Sequence, residues 1–499
     1  MGDLLSGLID IDLDPRSGVA LTRQIYERLR AAILAGALPA GHRLPSGRDL
    51  ARRLGVSRNT VAFAVDQLAM EGYLDVARGR RPIVAAARTP LAFGNAPSRR
   101  SPAGLRVSRW ADRRREAEWP FTNEGRPRAF APGLADARAF PHDLWARCLR
   151  RAARHAPARG AAGLNRPALQ AALLSHLVAH RGIKAEARQI ILTPSAQAAI
   201  ELIARVVLDP GDLAWLESPG YGGARVALES AGARIHGVTL DRSGLSFAGR
   251  TDRPRLIFVT PSHQYPTGRL MSVNRRQELL GFAASAGAAI IEDDYDSEFH
   301  YDGRPVAALQ GMDGTGRVFY VGTLSKSTFA DIRVGYAIVP ASLVETFEKA
   351  QRHTGQIAAA PVQDALAAFI DDGYFAAHIR KMTRIYRFRR DRLVQALAPA
   401  ASDILGIAPP PGGMQLILPL ARHHDDCHVT AALARAGVTV RPLSRHFTGK
   451  AVDQGLFLGF AAWNEREIDI GADIVCRVMR RLSGRRTIAG QDHRQRIGP

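Results

Sequence analysis

Apolar positions in the first 84 residues recur at the spacing of short helices. Ile25, Leu29 and Ile33 fall four apart between residues 21 and 35, which predicts one amphipathic helix. The stretch Gly36-Ala37-Leu38-Pro39-Ala40-Gly41 breaks that pattern. A second helix is expected over residues 49–54, with Ser46 as its N-cap and Gly55 as its stop. A third opens at Ser57-Arg58-Asn59-Thr60 and carries Val61, Val65 and Leu68 on one face. After Gly72, residues 73–76 and 83–84 read as two short strands around a basic turn, Arg78-Gly79-Arg80-Arg81. From about residue 130 the pattern changes. Continuous apolar runs at 190–192, 213–216, 256–259, 289–291 and 318–321 alternate with amphipathic helical stretches. Runs without polar alternation are buried on both faces, which predicts an α/β body around a mostly parallel sheet. Ligands in such sheets bind beyond the carboxyl ends of the strands.

Four segments follow from these patterns. Residues 1–84 form a small helical domain with a hairpin. Residues 85–128, rich in Ala, Pro, Ser and Arg, read as a solvated tether that includes Pro90, Pro97, Pro102 and Arg113-Arg114-Arg115. Residues 129–483 are the α/β body, and 484–499 a basic, disordered tail. Composition is globular, with 46% hydrophobic and 23% charged residues and no run long enough to span a membrane. The amino terminus shows no secretory signal, and three scattered cysteines suit a reducing, cytoplasmic setting. The formal net charge of +21 makes a polyanionic partner plausible. It does not place that partner, since residues 1–90 hold 13 arginines against 9 acids.

Two short helices joined by a glycine-containing turn make a helix-turn-helix, and the third helix is the reader. Ser57, Arg58, Asn59 and Thr60 at its start are placed to reach base edges or phosphates.

The body holds its own candidate chemistry. Lys326 is one of only five lysines, and it follows the apolar run 318–321. An amine at the end of a buried strand is dehydrated, which lowers its pKa and frees it to attack a carbonyl. Other polar strings also follow strands. Thr193-Pro194-Ser195-Ala196-Gln197 opens a helix, where free N–H groups suit a phosphate. Tyr221 is placed to stack on a flat ring. Thr260 to Gly268 forms a polar, proline-fixed loop that includes His263. Glu292-Asp293-Asp294-Tyr295-Asp296-Ser297-Glu298 crowds acids where a strand leaves the core. A carboxylate facing a pyridine nitrogen, a phenol near the ring oxygen and a lysine amine are what pyridoxal phosphate requires. Arg333, with Thr323 and Ser325, adds donors for its phosphate. His423-His424-Asp425-Asp426-Cys427-His428 is read as the opening of a helix over residues 429–436, and no metal site is expected.

The stretch from Gly41 to Leu74 resembles the GntR-type winged helix, whose pattern GxRLPSxRxLAxxLGVSRNTV it follows closely. The resemblance implies a double-stranded operator DNA and contacts from Arg43, Arg48, Arg58, Thr60 and the wing residue Gly79. Arg80 and its neighbours replace the usual wing string. The body resembles a fold-type I, pyridoxal-phosphate-dependent aminotransferase with a smaller carboxy-terminal α/β subdomain. Together the two resemble a MocR-type transcriptional regulator. That resemblance implies an internal aldimine at Lys326, Asp293 at the pyridine nitrogen with Asp294 as the other register, and Tyr295 at the ring oxygen. Tyr221 would stack on the ring, and Arg333 would hold the phosphate with Ser195, Ala196 and Gln197. A head-to-tail homodimer is also implied. An amine or amino-acid effector would be sensed by external aldimine formation, the alternative being an active aminotransferase with an accessory DNA-binding domain. The intact recognition helix and a missing carboxylate clamp favour the sensor, and the body departs from the family at two positions. Tyr265 stands where the family carries Asn, and Phe457 where it carries the arginine that clamps a substrate carboxylate. Arg441 and Arg445 are the candidates to replace that clamp.

Overall fold

Ile25 and Leu29, both fully buried, turn α1 (Leu21–Leu34) onto the core of the amino-terminal unit. Ile33, on the same face, is only partly covered. The computed structural model describes residues 13–77, 80–85, 107–108, 110–112, 128–154, 163–303, 306–398, 406–421 and 423–494, with side chains to 483. They divide into two units, Met1–Val107 and Ser108–Pro499. The short helix α2 (Gly47–Leu54) begins two residues before the expected start, because the Ser46 hydroxyl accepts from the Asp49 N–H at 3.2 Å. Gly55, in the left-handed region at φ +64°, ends it. The third helix, α3 (Arg58–Met70), is capped by Ser57 and buries Val61, Ala64, Val65 and Leu68. Strand β1 (Leu74–Asp75) pairs antiparallel with β2 (Ile83–Val84), and Arg43 bridges to Ile83 through its backbone. The wing tip, including Gly79, lies outside the described residues, as do Arg113-Arg114-Arg115 and most of the tether.

In the second unit eight strands form one sheet: β3 (Ile190–Thr193), β4 (Leu213–Ser218), β5 (Arg234–Asp241), β6 (Gly244–Leu245), β7 (Leu256–Val259), β8 (Ala289–Asp293), β9 (Val318–Thr323) and β10 (Gly335–Ile338). Their order is β3-β10-β9-β8-β7-β4-β5-β6. From β9 across to β5 every pair is parallel. The exceptions are β10, antiparallel to both β9 and β3, and the edge strand β6, antiparallel to β5. The connection between β9 and β10 spans only residues 324–334, too short for a helical crossover, so the chain must return antiparallel. Lys326 stands in that return.

Three more strands, β11 (Gln415–Pro419), β12 (Arg441–Pro442) and β13 (Gly455–Gly459), make a small antiparallel sheet in the order β11-β13-β12. The helices Tyr374–Leu397, Asp426–Arg435 and Glu465–Arg494 share its core, through Met382, Leu433 and Ile468 among others. The last helix continues to Arg494, so residues 484–494 are helical where a disordered tail was expected; no proline interrupts the run. Among the described residues no helix is long and apolar enough to cross a membrane.

Candidate functional site

Strand β9 is buried along its whole length, and residues 324–334 leave the sheet at its carboxyl edge. Lys326 is half-buried there, and its ammonium donates to the carbonyl of Gly133, from the first segment of the body. Burial lowers the pKa of this amine to about 8. Asp296 pulls it up, Arg441 pushes it further down, and Asp293 again raises it.

Asp293 closes β8 and is buried. Its Oδ1 has no hydrogen-bond partner among the described residues. Burial, with Asp294, Asp296 and Glu217 adding repulsion, pushes its carboxyl up to about 8, while Lys326 draws it down. Successive residues leaving a strand point opposite ways, and the acidic run sorts itself accordingly. Glu292 accepts from the N–H groups of Leu309 and Gln310 at 2.8 and 2.9 Å. Asp294 accepts from Arg181 at 2.8 Å, Tyr320 at 2.6 Å and Ser297 at 2.8 Å. Burial works to raise its pKa, but Arg181 and these donors prevail and hold it below the usual value. Asp296 meets His263 at 2.8 Å and accepts from the Met414 N–H at 3.2 Å. Oδ1 of Asp294 also lacks a partner among the described residues, but of these two aspartates it is Asp293 whose charge acts on Lys326.

Tyr295 is half-buried, and its hydroxyl accepts from Gln415 at 3.4 Å. Tyr221 lies 6.3 Å from Phe258 with ring planes 27° apart, and its hydroxyl donates to Gln197 at 3.2 Å. Tyr265, at the family's Asn position, meets Tyr221, Tyr295, His446 and Phe457 edge-on and lies close to the Arg441 guanidinium. An aromatic wall thus replaces one amide.

The Ser195 hydroxyl accepts from the Ala198 N–H at 3.1 Å, so Ala196 and Gln197 are the first residues of the helix Ala196–Val207. Gly335 lies against this helix start, where a Cβ would come 2.4 Å from the Ala196 nitrogen. Two residues before it, Arg333 is exposed, in the left-handed region at φ +51°, with no ion pair or hydrogen bond among the described residues. The Thr323 hydroxyl accepts from the Ser325 N–H at 3.2 Å. Open N–H groups, a guanidinium and two hydroxyls are thus close in the chain or in space to Lys326, and this donor set suits a phosphate.

Arg441 is the cross-strand partner of Phe457 in the β12–β13 ladder. A guanidinium therefore stands beside position 457, on the neighbouring strand. Arg441 is half-buried and close enough to Lys326 to lower its pKa. Arg445 is exposed in the following turn. That turn is pinned by Asp426, which accepts from the N–H groups of Ser444 at 2.8 Å and Gly455 at 3.2 Å. Asp425, Asp426 and Cys427 do lie close together. Asp425, however, caps the helix through the N–H groups of Cys427 and His428, and Asp426 holds the turn, so their carboxylates serve the fold.

Three members of this site carry no local sequence signal. Gly133 contributes only a carbonyl. Arg181 ends the helix Pro167–Arg181, far from Asp294 in the chain. Glu217, buried and pushed up to about 7 chiefly by that burial, accepts from Thr260 at 2.6 Å and orders the loop before Tyr265.

In the amino-terminal unit Arg43, Arg48, Arg58, Asn59 and Arg80 are exposed. None of these arginines is in an ion pair among the described residues. The Ser57 hydroxyl accepts from the Thr60 N–H at 3.1 Å and shares a 2.8 Å hydrogen bond with the Thr60 hydroxyl.

Comparison with known proteins agrees with both halves. Residues 21–84 match the family model for bacterial regulatory proteins of the gntR family. Residues 141–469 match that for aminotransferase class I and II. A protein of Rhizobium meliloti described as "Probable rhizopine catabolism regulatory protein MocR" is 41% identical, over 90% of this chain and 92% of its own length. The pyridoxine biosynthesis transcriptional regulator PdxR of Corynebacterium glutamicum is 30% identical, over 92% and 95%. Among solved structures, an archaeal alanine:glyoxylate aminotransferase superposes with a TM-score of 0.67 at 25% identity, covering 75% of this chain and 96% of its own.

Proposed function

The chain belongs to the MocR-type regulators, in which a GntR winged helix precedes an aminotransferase-like body, and from that premise we propose that it is a DNA-binding transcriptional regulator whose body holds pyridoxal phosphate and senses a primary amine or amino acid. One observation carries the sensor half: a lysine with its pKa lowered to about 8 beside a buried carboxyl that keeps an unpaired oxygen. When bound, pyridoxal phosphate supplies an electrophilic carbon that takes up amines reversibly and a ring that accepts electrons.

The residues of the chain divide the remaining work. Lys326 offers an amine that is partly neutral near pH 7 to 8. Asp293 holds a proton at its free carboxyl oxygen and so pairs with a ring nitrogen. Asp294, engaged by Arg181, is left out of that role. Tyr221 and Tyr265 confine a flat ring, and Tyr295 approaches its oxygen. Ser195, Ala196, Gln197, Arg333, Thr323 and Ser325 receive the phosphate. Arg441, in place of the missing arginine at 457, takes the effector's carboxylate, and Arg441→Gln weakens that effector about 10- to 100-fold, as loss of a charged hydrogen bond does. The head reads an operator through Arg43, Arg48, Arg58, Asn59, Thr60 and the wing. A homodimer presents two such heads to a two-fold site.

The test is a titration of the cofactor-loaded protein with a panel of primary amines and amino acids, followed by visible absorbance. It is repeated with a duplex obtained by in vitro selection. The reading expects an amine that changes the spectrum and also shifts duplex affinity. Rapid amino transfer to a keto acid with no duplex binding at moderate salt would overturn it in favour of an enzyme.

A further inference from the structure

The buried residues Val61, Ala64, Val65 and Leu68 define the inner side of α3. At about 100° per residue, Asn59, Phe63, Asp66 and Met70 lie directly opposite. Phe63 is 68% exposed and Met70 82% exposed on that outer line. A large apolar side chain on the outer line of an amphipathic helix departs from the polar face expected there, and an occupant would account for it. Its surroundings say which. Asn59, one turn earlier, and Arg58 are exposed polar groups at the helix start, and Ala62 beside Phe63 is exposed and small. This is the face that a recognition helix turns into the major groove. The one apolar group on a base edge there is the thymine 5-methyl.

We propose that Phe63 is a specificity-determining residue that reads thymine methyl groups in the operator. The inference rests on α3 being the reading helix. Phe63 stands about 6 Å along the helix axis from Asn59, within the part that enters the groove. Met70 lies about 10 Å further on, at the helix end, beyond the base contacts. Asn59 and Arg58 thus select by hydrogen bonds, and Phe63 adds a neighbouring preference for thymine.

The experiment uses full-length protein and a duplex enriched from a randomised library. That duplex is resynthesised with uracil replacing thymine one position at a time, which removes only the methyl group. Wild type and Met70→Ala are expected to lose about fourfold in affinity at one or two positions per half-site, the worth of one buried methyl-sized group. Phe63→Ala is expected to bind thymine and uracil duplexes equally, and Phe63→Leu to keep the difference. Arg58→Ala is expected to weaken binding throughout while the methyl effect persists. The inference fails if the uracil series is flat for wild type, if the selected site has no invariant thymine, or if Phe63→Ala keeps the methyl effect. In the last case, loss of dimer formation in Phe63→Ala would point to a protein contact. If no duplex is enriched at all, the DNA reading of α3 fails, and this inference with it.

Discussion

Arg43, Arg48, Arg58 and Arg80 of the head and Arg181, Arg276 and Arg389 of the body are the same side chain in opposite surroundings. The first four stand in solvent without ion pairs among the described residues. The other three are buried. Arg181 meets Asp294 at 2.8 Å and Arg389 meets Asp136 at 2.9 Å. Arg276 donates to the carbonyls of Pro261 and Ala307 at 2.8 and 2.9 Å. Exposed cations exchange their counterions for phosphates and so bind a polyanion. Buried cations cannot; they fix the carboxylates and loops around Lys326. The net charge of +21 therefore mixes two functions, and only exposure and partners separate them.

The sharpest way to separate the two units is to remove Lys326. In Lys326→Ala the visible absorbance of lysine-bound cofactor should vanish completely, while the same preparation still binds the selected duplex. A retained band would break the lysine assignment. Loss of duplex binding along with the band would show that the head depends on the body's cofactor. The pH dependence adds a finer test. Attack requires the neutral amine, and with a pKa of about 8 its neutral fraction rises with pH up to that value. Cofactor capture by the cofactor-free protein should therefore climb roughly tenfold per pH unit below 8 and then level off. A solvated lysine would keep climbing beyond pH 10.

The next largest effect belongs to the buried cations. Arg181→Met leaves Asp294 as an uncompensated buried charge with only the Tyr320 and Ser297 hydroxyls on its oxygen. Breaking such a pair costs about 3–5 kcal/mol. Denaturant unfolding should show that loss in the transition of the body, with the transition of the head unmoved. A loss below about 1 kcal/mol would mean that Asp294 is neutral or finds another donor. In that case its exclusion from the cofactor nitrogen would no longer follow.

The same pair shows where sequence reading reached its limit. The strands, the helix-turn-helix and Lys326 are local features, set by periodicity, caps and short strings, and they appear in the structure close to where those patterns put them. The acidic run was ambiguous because neighbouring carboxylates differ only in which way they point. The residue that decides the matter, Arg181, lies on a helix 113 positions before Asp294. Arg441 and Phe457 likewise become neighbours only through β-pairing. The Gly133 carbonyl is backbone, so no residue type could announce it. Strand β10, only four residues long and close behind the lysine, carries no apolar run distinct enough to announce it. Its direction follows from the length of the turn, not from its composition.

The exposed cations should behave in the opposite way. Arg58→Ala is expected to change stability by no more than about 0.5 kcal/mol, as for an unpaired surface group. It should cost about 1–3 kcal/mol in duplex affinity if the guanidinium reads a base. If it meets a phosphate, the loss should be uniform across sequences and the salt slope should fall by about one. An arginine that destabilised the head without changing DNA binding would break the contrast between the units.

Ser57 gives the smallest effect and the finest distinction, because it is placed for both roles. Its hydroxyl was expected to touch DNA, yet it caps α3 through the Thr60 N–H at 3.1 Å and shares a hydrogen bond with the Thr60 hydroxyl. A cap is worth about 1 kcal/mol when replaced by alanine but only a few tenths when replaced by glycine, whose backbone tolerates the cap conformation. Ser57→Ala should thus lower the stability of the head by about 1 kcal/mol while Ser57→Gly remains near wild type. If the hydroxyl acts only as a cap, duplex affinity measured well below the melting temperature follows the same order. If it also meets the duplex, alanine and glycine lose affinity equally although their stabilities differ. The pair of substitutions separates a residue that shapes the reading helix from one that reads, at a position in the head where local structure and recognition draw on the same oxygen.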